Sequence, residues 1–379
     1  MTKNTHIWTK LVHSTSSVWS FSWHPRWLIL SIAFIGIVLS GLKNKDDKTE
    51  PYPLIYPANF GGRLNIPQDN PLTKEGVHLG RMLFYEKKLS ADNTLSCGSC
   101  HQQKLAFSDG KAFSMGVDKS LTNRNSMALV NLLWVRNFFW DGRSSSLEEQ
   151  AVFPMTNEHE MGQTLEVSVR KLQQTGIYPS LFKKAFREEN IDAGTIKKAL
   201  AQFERTLISA DSPYDRYLAG AYQPTAQELR GISLFMESPV PERQVRGANC
   251  GHCHGGPKTF KELFHNNGLD AEPTDTGREA ISHQMSDKGR FRVPSLRNIA
   301  LTSPYMHDGR FKTLEEVLNH YNEHIQESPM LSTFLRGVSN EKGGKTLLLS
   351  PREKADIMAF LHMLTDSTFI NNPLFSDPN

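Results

Sequence analysis

The chain has 379 residues, of which 38% are apolar and 22% charged, and its formal net charge is +3. That length holds two domains of ordinary size, each able to bury its own core, and the balance fits a soluble globular body rather than a multi-span membrane protein. The small net charge argues against nucleic acid or any other strongly charged partner.

Residues 1–26 contain Lys3, Lys10 and Arg26 and no acidic residue, and read as a cytoplasmic N-terminal segment. They precede an apolar run over residues 27–42, from Trp27 to Leu42. The run reads as an export signal. It is shorter than the roughly 20 residues of a usual spanning helix, yet the stretch before it is long and no Ala-x-Ala cleavage site follows. A retained inner-membrane anchor is the first expectation, and a signal peptide cleaved after Val38 and Ser40 the second; both place the body in the periplasm. Residues 43–57 are charged, carry prolines and lack apolar periodicity, as expected of a tether.

Beyond residue 57 the helical period dominates. Ile196, Leu200, Phe203 and Leu207 keep one apolar face, while Thr225 with Glu228, Thr313 with Glu316, and Ser350-Pro351 with Glu353 mark helix starts. Alternation of period two is nearly absent. The expected fold is mainly α, with long loops.

The chain also repeats itself. Trp140-Asp141-Gly142-Arg143 followed by Leu147-Glu148-Glu149 matches His307-Asp308-Gly309-Arg310 followed by Leu314-Glu315-Glu316, and Asn131 and Asn298 share the offset. Each copy lies downstream of one Cys-x-x-Cys-His: Cys97, Cys100 and His101 in the first, Cys250, Cys253 and His254 in the second. The boundary between copies falls near Tyr222 to Thr225, giving domains over 58–223 and 224–379.

In Cys-x-x-Cys-His two thiols sit one helical turn apart, where both can form thioethers with porphyrin vinyl groups while the adjacent imidazole reaches the iron. A single copy also suits zinc or a redox dithiol. Two copies in an exported chain whose four cysteines are all used favour two covalently bound haems, in two cytochrome c-like domains in tandem, with His101 and His254 as proximal ligands. The sixth position on each iron then separates catalysis from electron transfer, because an open position lets peroxide bind. Cleavage of its O–O bond needs a group that moves a proton between the two oxygens, a task for a carboxylate.

These residues resemble the bacterial di-haem cytochrome c peroxidases and their MauG-like relatives over about residues 60 to 370. The resemblance rests on both haem motifs, Phe139-Trp140-Asp141-Gly142-Arg143, Leu147-Glu148-Glu149-Gln150-Ala151, Glu160-Met161, Val293-Pro294-Ser295-Leu296-Arg297-Asn298 and Pro304-Tyr305-Met306-His307-Asp308-Gly309. It implies that Glu160 is the distal acid-base group over the first haem, with Gln150 and Pro154 lining the same pocket, and that Trp140 lies between the haems. It also implies a calcium ion held by Asn125 with the carbonyls of Thr302 and Pro304.

Two departures bear on mechanism. Where many of these peroxidases place a histidine that caps the first haem, Ser114-Met115-Gly116 is followed by Val117. The methionine that ligates their second haem aligns with Tyr321, the MauG-like pattern, while the MauG tryptophan that precedes the second motif is replaced by Ala248. The resemblance thus implies a periplasmic peroxidase that reduces hydrogen peroxide with electrons from a small cytochrome c or cupredoxin. An oxidase acting on side chains of a partner protein is the first alternative. A non-catalytic di-haem electron carrier is the second, and the oligomeric state stays open.

Overall fold

Glycines at two helix crossings set the architecture. A Cβ on Gly80 would lie 1.9 Å from the Ala199 carbonyl oxygen, and one on Gly231 would lie 2.0 Å from that of Asp356. Only glycine lets the helix Lys74–Phe84 approach Ala193–Arg205, and Ala226–Met236 approach Pro351–Met363, this closely. In the computed structural model, which describes residues 48–187 and 190–378, these two crossed pairs form the cores of successive halves of the chain. The fold is mainly α; the one sheet among the described residues is an antiparallel ribbon of β1 (Phe264–His265) and β2 (Phe291–Arg292).

The expected caps are present. Thr225 and Glu228, Thr313 and Glu316, and Ser350 and Glu353 each form a reciprocal capping box. Ile196, Leu200, Phe203 and Leu207 are all fully buried, as their spacing required.

The repeat seen in the sequence is also a repeat of backbone shape. Asn131 and Asn298 both adopt a left-handed conformation and each starts a short 3₁₀ turn, Leu132–Trp134 and Ile299–Leu301. Phe138 pairs with Ser144 as Tyr305 pairs with Phe311, and Phe139 and Met306 both have positive φ. The two halves interlock at Ser209. The Asn131 amide donates to the Ser209 carbonyl at 3.1 Å, and the Asn298 amide donates to the Ser209 hydroxyl at 3.1 Å.

Residues Thr49–Asn379 gather into one compact unit. This narrows the tether expected over 43–57. The Tyr52 N–H donates to Leu72 O at 3.0 Å, that of Lys74 to Glu50 O at 2.8 Å, and Tyr52, Leu54 and Tyr56 pack against the core, so the chain is already docked from Glu50 onward. The apolar side chains of this stretch lie among the prolines of residues 51–57, after the charged residues 43–50, and have no helical or strand period to mark them as core. The export run over 27–42, like residues 1–26, lies outside the described residues. Among the described residues no helix is long and apolar enough to cross a membrane.

Candidate haem centres

Cys97–Cys100 forms a single helical turn whose start is held by a Ser96–Ser99 capping box. The turn ends at His101, where Ala106 and Phe107 adopt left-handed conformations and bring the Phe107 carbonyl to 2.8 Å from His101 Nδ1. An Nδ1–H donated to that oxygen leaves the Nε2 lone pair free. Burial lowers the ring's pKa and keeps it neutral, and a neutral imidazole oriented by a backbone carbonyl is a metal ligand in waiting. The Ser126 hydroxyl completes the surroundings, donating to Cys100 O at 3.2 Å.

The loops beside this turn carry the other residues expected at the first site. Val117 N–H donates to Glu160 O at 2.9 Å, and a Cβ on Gly116 would meet the His159 carbonyl at 2.1 Å, so the loops holding Val117 and Glu160 lie directly on each other. Glu160 Oε1 accepts from the Asn157 amide at 2.8 Å, its other oxygen takes no hydrogen bond among the described residues, and its charge is felt at the Cys100 thiol. Gln150 ends the helix Leu147–Gln150 and Pro154 lies one turn on, in Val152–Thr156; the Pro154 carbonyl accepts from the Met161 N–H at 3.0 Å, next to Glu160. The fold therefore gathers Glu160, Pro154 and Val117 at one loop junction.

The second motif opens onto a cavity of about 260 Å³, lined by Cys250, Cys253, His254 and Tyr321 together with Trp140, Ala248, Asn267, Arg292, Met306 and His307. Burial pushes the His254 ring down to about 4; the backbone at Thr259 and Pro294 offsets this only in part, and no group completes a hydrogen bond to its Nδ1. Tyr321 reaches the cavity through a change of helix type. The α-helix Leu314–Asn319 widens into a π-turn over His320–His324, a form that recurs at functional sites, and Leu314, Val317 and Tyr321 line the cavity together. Burial raises the Tyr321 phenol to about 12. The neighbouring His320 turns away, its Nε2 lying 3.0 Å from the Asn267 carbonyl, and His307 stacks on Phe291 with ring centroids 3.7 Å apart.

A continuous path joins the sites. Trp140 lines the second cavity and donates its indole N–H to Asn125 O at 2.8 Å, and the next residue, Ser126, touches Cys100 O and His101. Thr302 and Pro304 line the same cavity as Asn125. The Asn125 amide nitrogen donates to Lys111 O at 2.8 Å, which leaves its amide oxygen, a hard donor suited to calcium, without a hydrogen bond.

Paired thiols with an adjacent buried imidazole, in front of an apolar-walled cavity, suit a covalently bound porphyrin at the second site. The first motif repeats the same donor set. Comparison with known proteins agrees. The family profile of the di-haem cytochrome c peroxidases matches residues 74–223. The methylamine utilization protein MauG of Methylorubrum extorquens is 36% identical over 302 residues, covering 79% of this chain and 80% of that protein. The chain belongs to the di-haem cytochrome c peroxidase family. The cytochrome c551 peroxidase of Nitrosomonas europaea is 34% identical over 254 residues, covering 65% of this chain and 73% of that one. A solved MauG-like protein associated with microbial copper homeostasis superposes with a TM-score of 0.77 at 35% identity, covering 86% of this chain and 99% of its own. As a member of this family the chain is an oxidoreductase, and membership implies two c-type haems.

Three residues of these centres are not marked by the sequence. Asn267 touches both Tyr321 and Met306, Arg292 lines the second cavity, and Glu204 is buried near Cys97. None of the three stands in a motif of the sequence, because each is marked only by partners distant along the chain.

Proposed function

We propose that this chain reduces hydrogen peroxide to water at the haem attached through Cys97, Cys100 and His101, with electrons passed from the haem attached through Cys250, Cys253 and His254. When bound, the haems supply the iron that meets peroxide and the electron store. Reduction of one peroxide to two waters takes two electrons and two protons, and Glu160 would be the group that carries a proton between the two peroxide oxygens. Asn157 holds one Glu160 oxygen and leaves the other to exchange the proton. Trp140, bonded to the Asn125 carbonyl, is the indole between the sites. The single observation that carries this reading is the repeated unit, in which the same thiol pair and buried imidazole occur twice in one fold and are joined through Trp140, Asn125 and Ser126.

Several finer assignments belong to the same proposal. Residues 58–223 form the peroxidatic half and 224–379 the electron-transfer half. Asn125 Oδ1 with the carbonyls of Thr302 and Pro304 holds calcium, a periplasmic setting follows from the export run, and a small cytochrome c or cupredoxin is the donor. Tyr321 in the cavity favours a second reading, an oxidase of side chains on a partner protein, against which stands the small buried Ala248.

The test is a pyridine haemochrome assay with mass spectrometry, followed by steady-state oxidation of a reduced cytochrome c by peroxide. Two haems per chain and sustained turnover are expected. One haem or none refutes the proposal, two haems without turnover favour the side-chain oxidase, and a ferric protein with both irons six-coordinate and low-spin leaves only an electron carrier.

A further inference from the structure

A buried guanidinium without a counter-ion is costly, since desolvation is repaid only by a close opposite charge or a full set of hydrogen bonds. This chain follows that rule at its two most buried arginines. Arg205 forms a two-pronged pair with Glu148 at 2.7 and 2.8 Å, and Arg297 is clamped to Asp215. Arg292 breaks it. The residue is 6% exposed, its Nε is buried with no hydrogen-bond partner, and among the described residues it enters no ion pair. Among the described residues its one side-chain hydrogen-bond contact is Nη2 to the Met127 sulfur at 3.5 Å, a weak acceptor.

The one carboxylate whose charge Arg292 senses, Glu262, forms no ion pair with it, and its Oε1 is buried without a hydrogen-bond partner. Its Oε2 accepts from the Arg136 N–H at 3.1 Å and from the Asn137 amide at 3.5 Å. Burial lowers the guanidinium's pKa to about 10, which still leaves it charged at neutral pH. Its backbone is fixed, because Arg292 lies opposite Phe264 in the β1–β2 ribbon and its N–H donates to Trp140 O at 2.7 Å. The side chain lines the cavity of Cys250, Cys253 and His254. His265, on the other strand of the ribbon, lines the same cavity and also has a buried ring nitrogen, Nε2, without a partner.

We propose that the missing counter-ion of Arg292 is a carboxylate carried by the occupant of this cavity. On the di-haem reading above, on which this inference rests, the carboxylate is a propionate of the second haem. A guanidinium suits that role because its planar fork matches a carboxylate in two-pronged geometry. The positive charge favours the ferrous state of the nearby iron. The link from Arg292 to the Trp140 carbonyl ties that contact to the indole between the two centres.

The experiment compares the full-length holoprotein with Arg292→Gln and Arg292→Lys, reading haem content and, by spectroelectrochemical titration, the potential of the second haem. Haem content tests the di-haem reading separately, since an unaltered protein without two haems refutes that reading and not the charge argument. With two haems bound, Arg292→Gln should shift the second haem's ferric/ferrous equilibrium about tenfold toward ferric, a fall of about 59 mV, and Arg292→Lys should recover most of the shift. An unchanged potential in Arg292→Gln, a shift confined to the first haem, or equal shifts in both variants overturns the proposal. If Arg292→Gln does not retain its second haem, retention in Arg292→Lys supports the counter-ion role, and loss in both overturns it.

Discussion

The Asn267 side-chain amide donates to the Tyr321 hydroxyl at 3.2 Å and lies 3.5 Å from the Met306 sulfur, so one amide spans two side chains that line the His254 cavity. A donor aimed at the phenol oxygen favours phenolate, against the burial that raises the phenol to about 12. A phenolate bound to the second iron would stabilise ferric and higher states, whereas methionine favours ferrous iron. Tyr321→Met should therefore change the low-spin signal to a His/Met type and raise the second haem's potential. An unchanged spectrum and potential would reduce Tyr321 to a packing residue.

Much of this arrangement could be read from the chain, for identifiable reasons. Helix caps are local, so Thr225, Thr313 and Ser350 announced their helices, and the haem motifs are local as well. The repeat survived as matching words because the same turn, with positive φ at Phe139 and Met306, is built twice. What stayed hidden is set by distant partners. Gly80 and Gly231 look like helix-weakening residues until the crossing helix is in place, and the π-turn that carries Tyr321 has no sequence signature of its own. Arg292 is an ordinary arginine in the sequence, and only its burial without an anion marks it.

Val117 offers a direct test of whether the first iron has an open position. Its N–H is bonded to the Glu160 carbonyl, which places its side chain at the same loop junction as the proposed acid-base group. The nearby imidazole, His159, is engaged on the exposed side, with Nδ1 2.7 Å from Asp118, and that partner raises its pKa. The ferric protein should therefore show a high-spin first haem and react with peroxide without prior reduction. Val117→His should make that haem low-spin and the ferric enzyme slow until one electron is added. Stopped-flow mixing with peroxide and EPR of both proteins check this, and an unreactive ferric wild type would refute it.

Glu160→Gln keeps the size of the side chain and its bond to Asn157 while removing the exchangeable proton. Peroxide turnover should fall at least about 10²-fold, the usual scale for losing a positioned acid-base group. Both haems and the ferric spectrum should be retained. Full activity in this variant would assign proton transfer to another group.

Asn298 should be among the most sensitive polar positions in the fold. It is fully buried, its amide nitrogen donates to the Ser209 hydroxyl, its amide oxygen accepts from the Asp366 N–H at 2.7 Å, and its backbone is left-handed. Asn298→Ala leaves two buried groups short of a partner and puts alanine where asparagine is better tolerated, a loss of about 2–4 kcal/mol. Asn131→Ala should cost a similar amount, since Asn131 makes the equivalent bonds to Ser209 at 3.1 and 2.9 Å. Denaturant titrations followed by tryptophan fluorescence would measure both. A loss under about 1 kcal/mol, the size of one ordinary hydrogen bond, would show that this junction does not hold the halves together.

Glu204 gives the fold a pH dependence of unusual sign for a carboxylate. It is 4% exposed, its Oε2 has no partner, and burial raises its pKa to about 8, with the Glu148 charge adding to the effect. Arg205 lowers it only in part, because both of its terminal nitrogens are bonded to Glu148. Between the ordinary carboxyl value of 4.5 and about 8 the folded chain holds a proton that the unfolded chain has released. Stability therefore falls as pH rises through that window, by about 1.4 kcal/mol for each unit of pKa difference, and is fully present only below it. Glu204→Gln carries no proton to lose. Its melting temperature should vary less with pH than that of the wild type from pH 5 to 8, and at pH 8 the variant should be the more stable of the two. Differential scanning calorimetry at pH 5, 6.5 and 8 decides the matter: parallel pH profiles for the two proteins would mean that Glu204 is ionised in the folded state at neutral pH, through a partner for Oε2 that comes from outside its own helix.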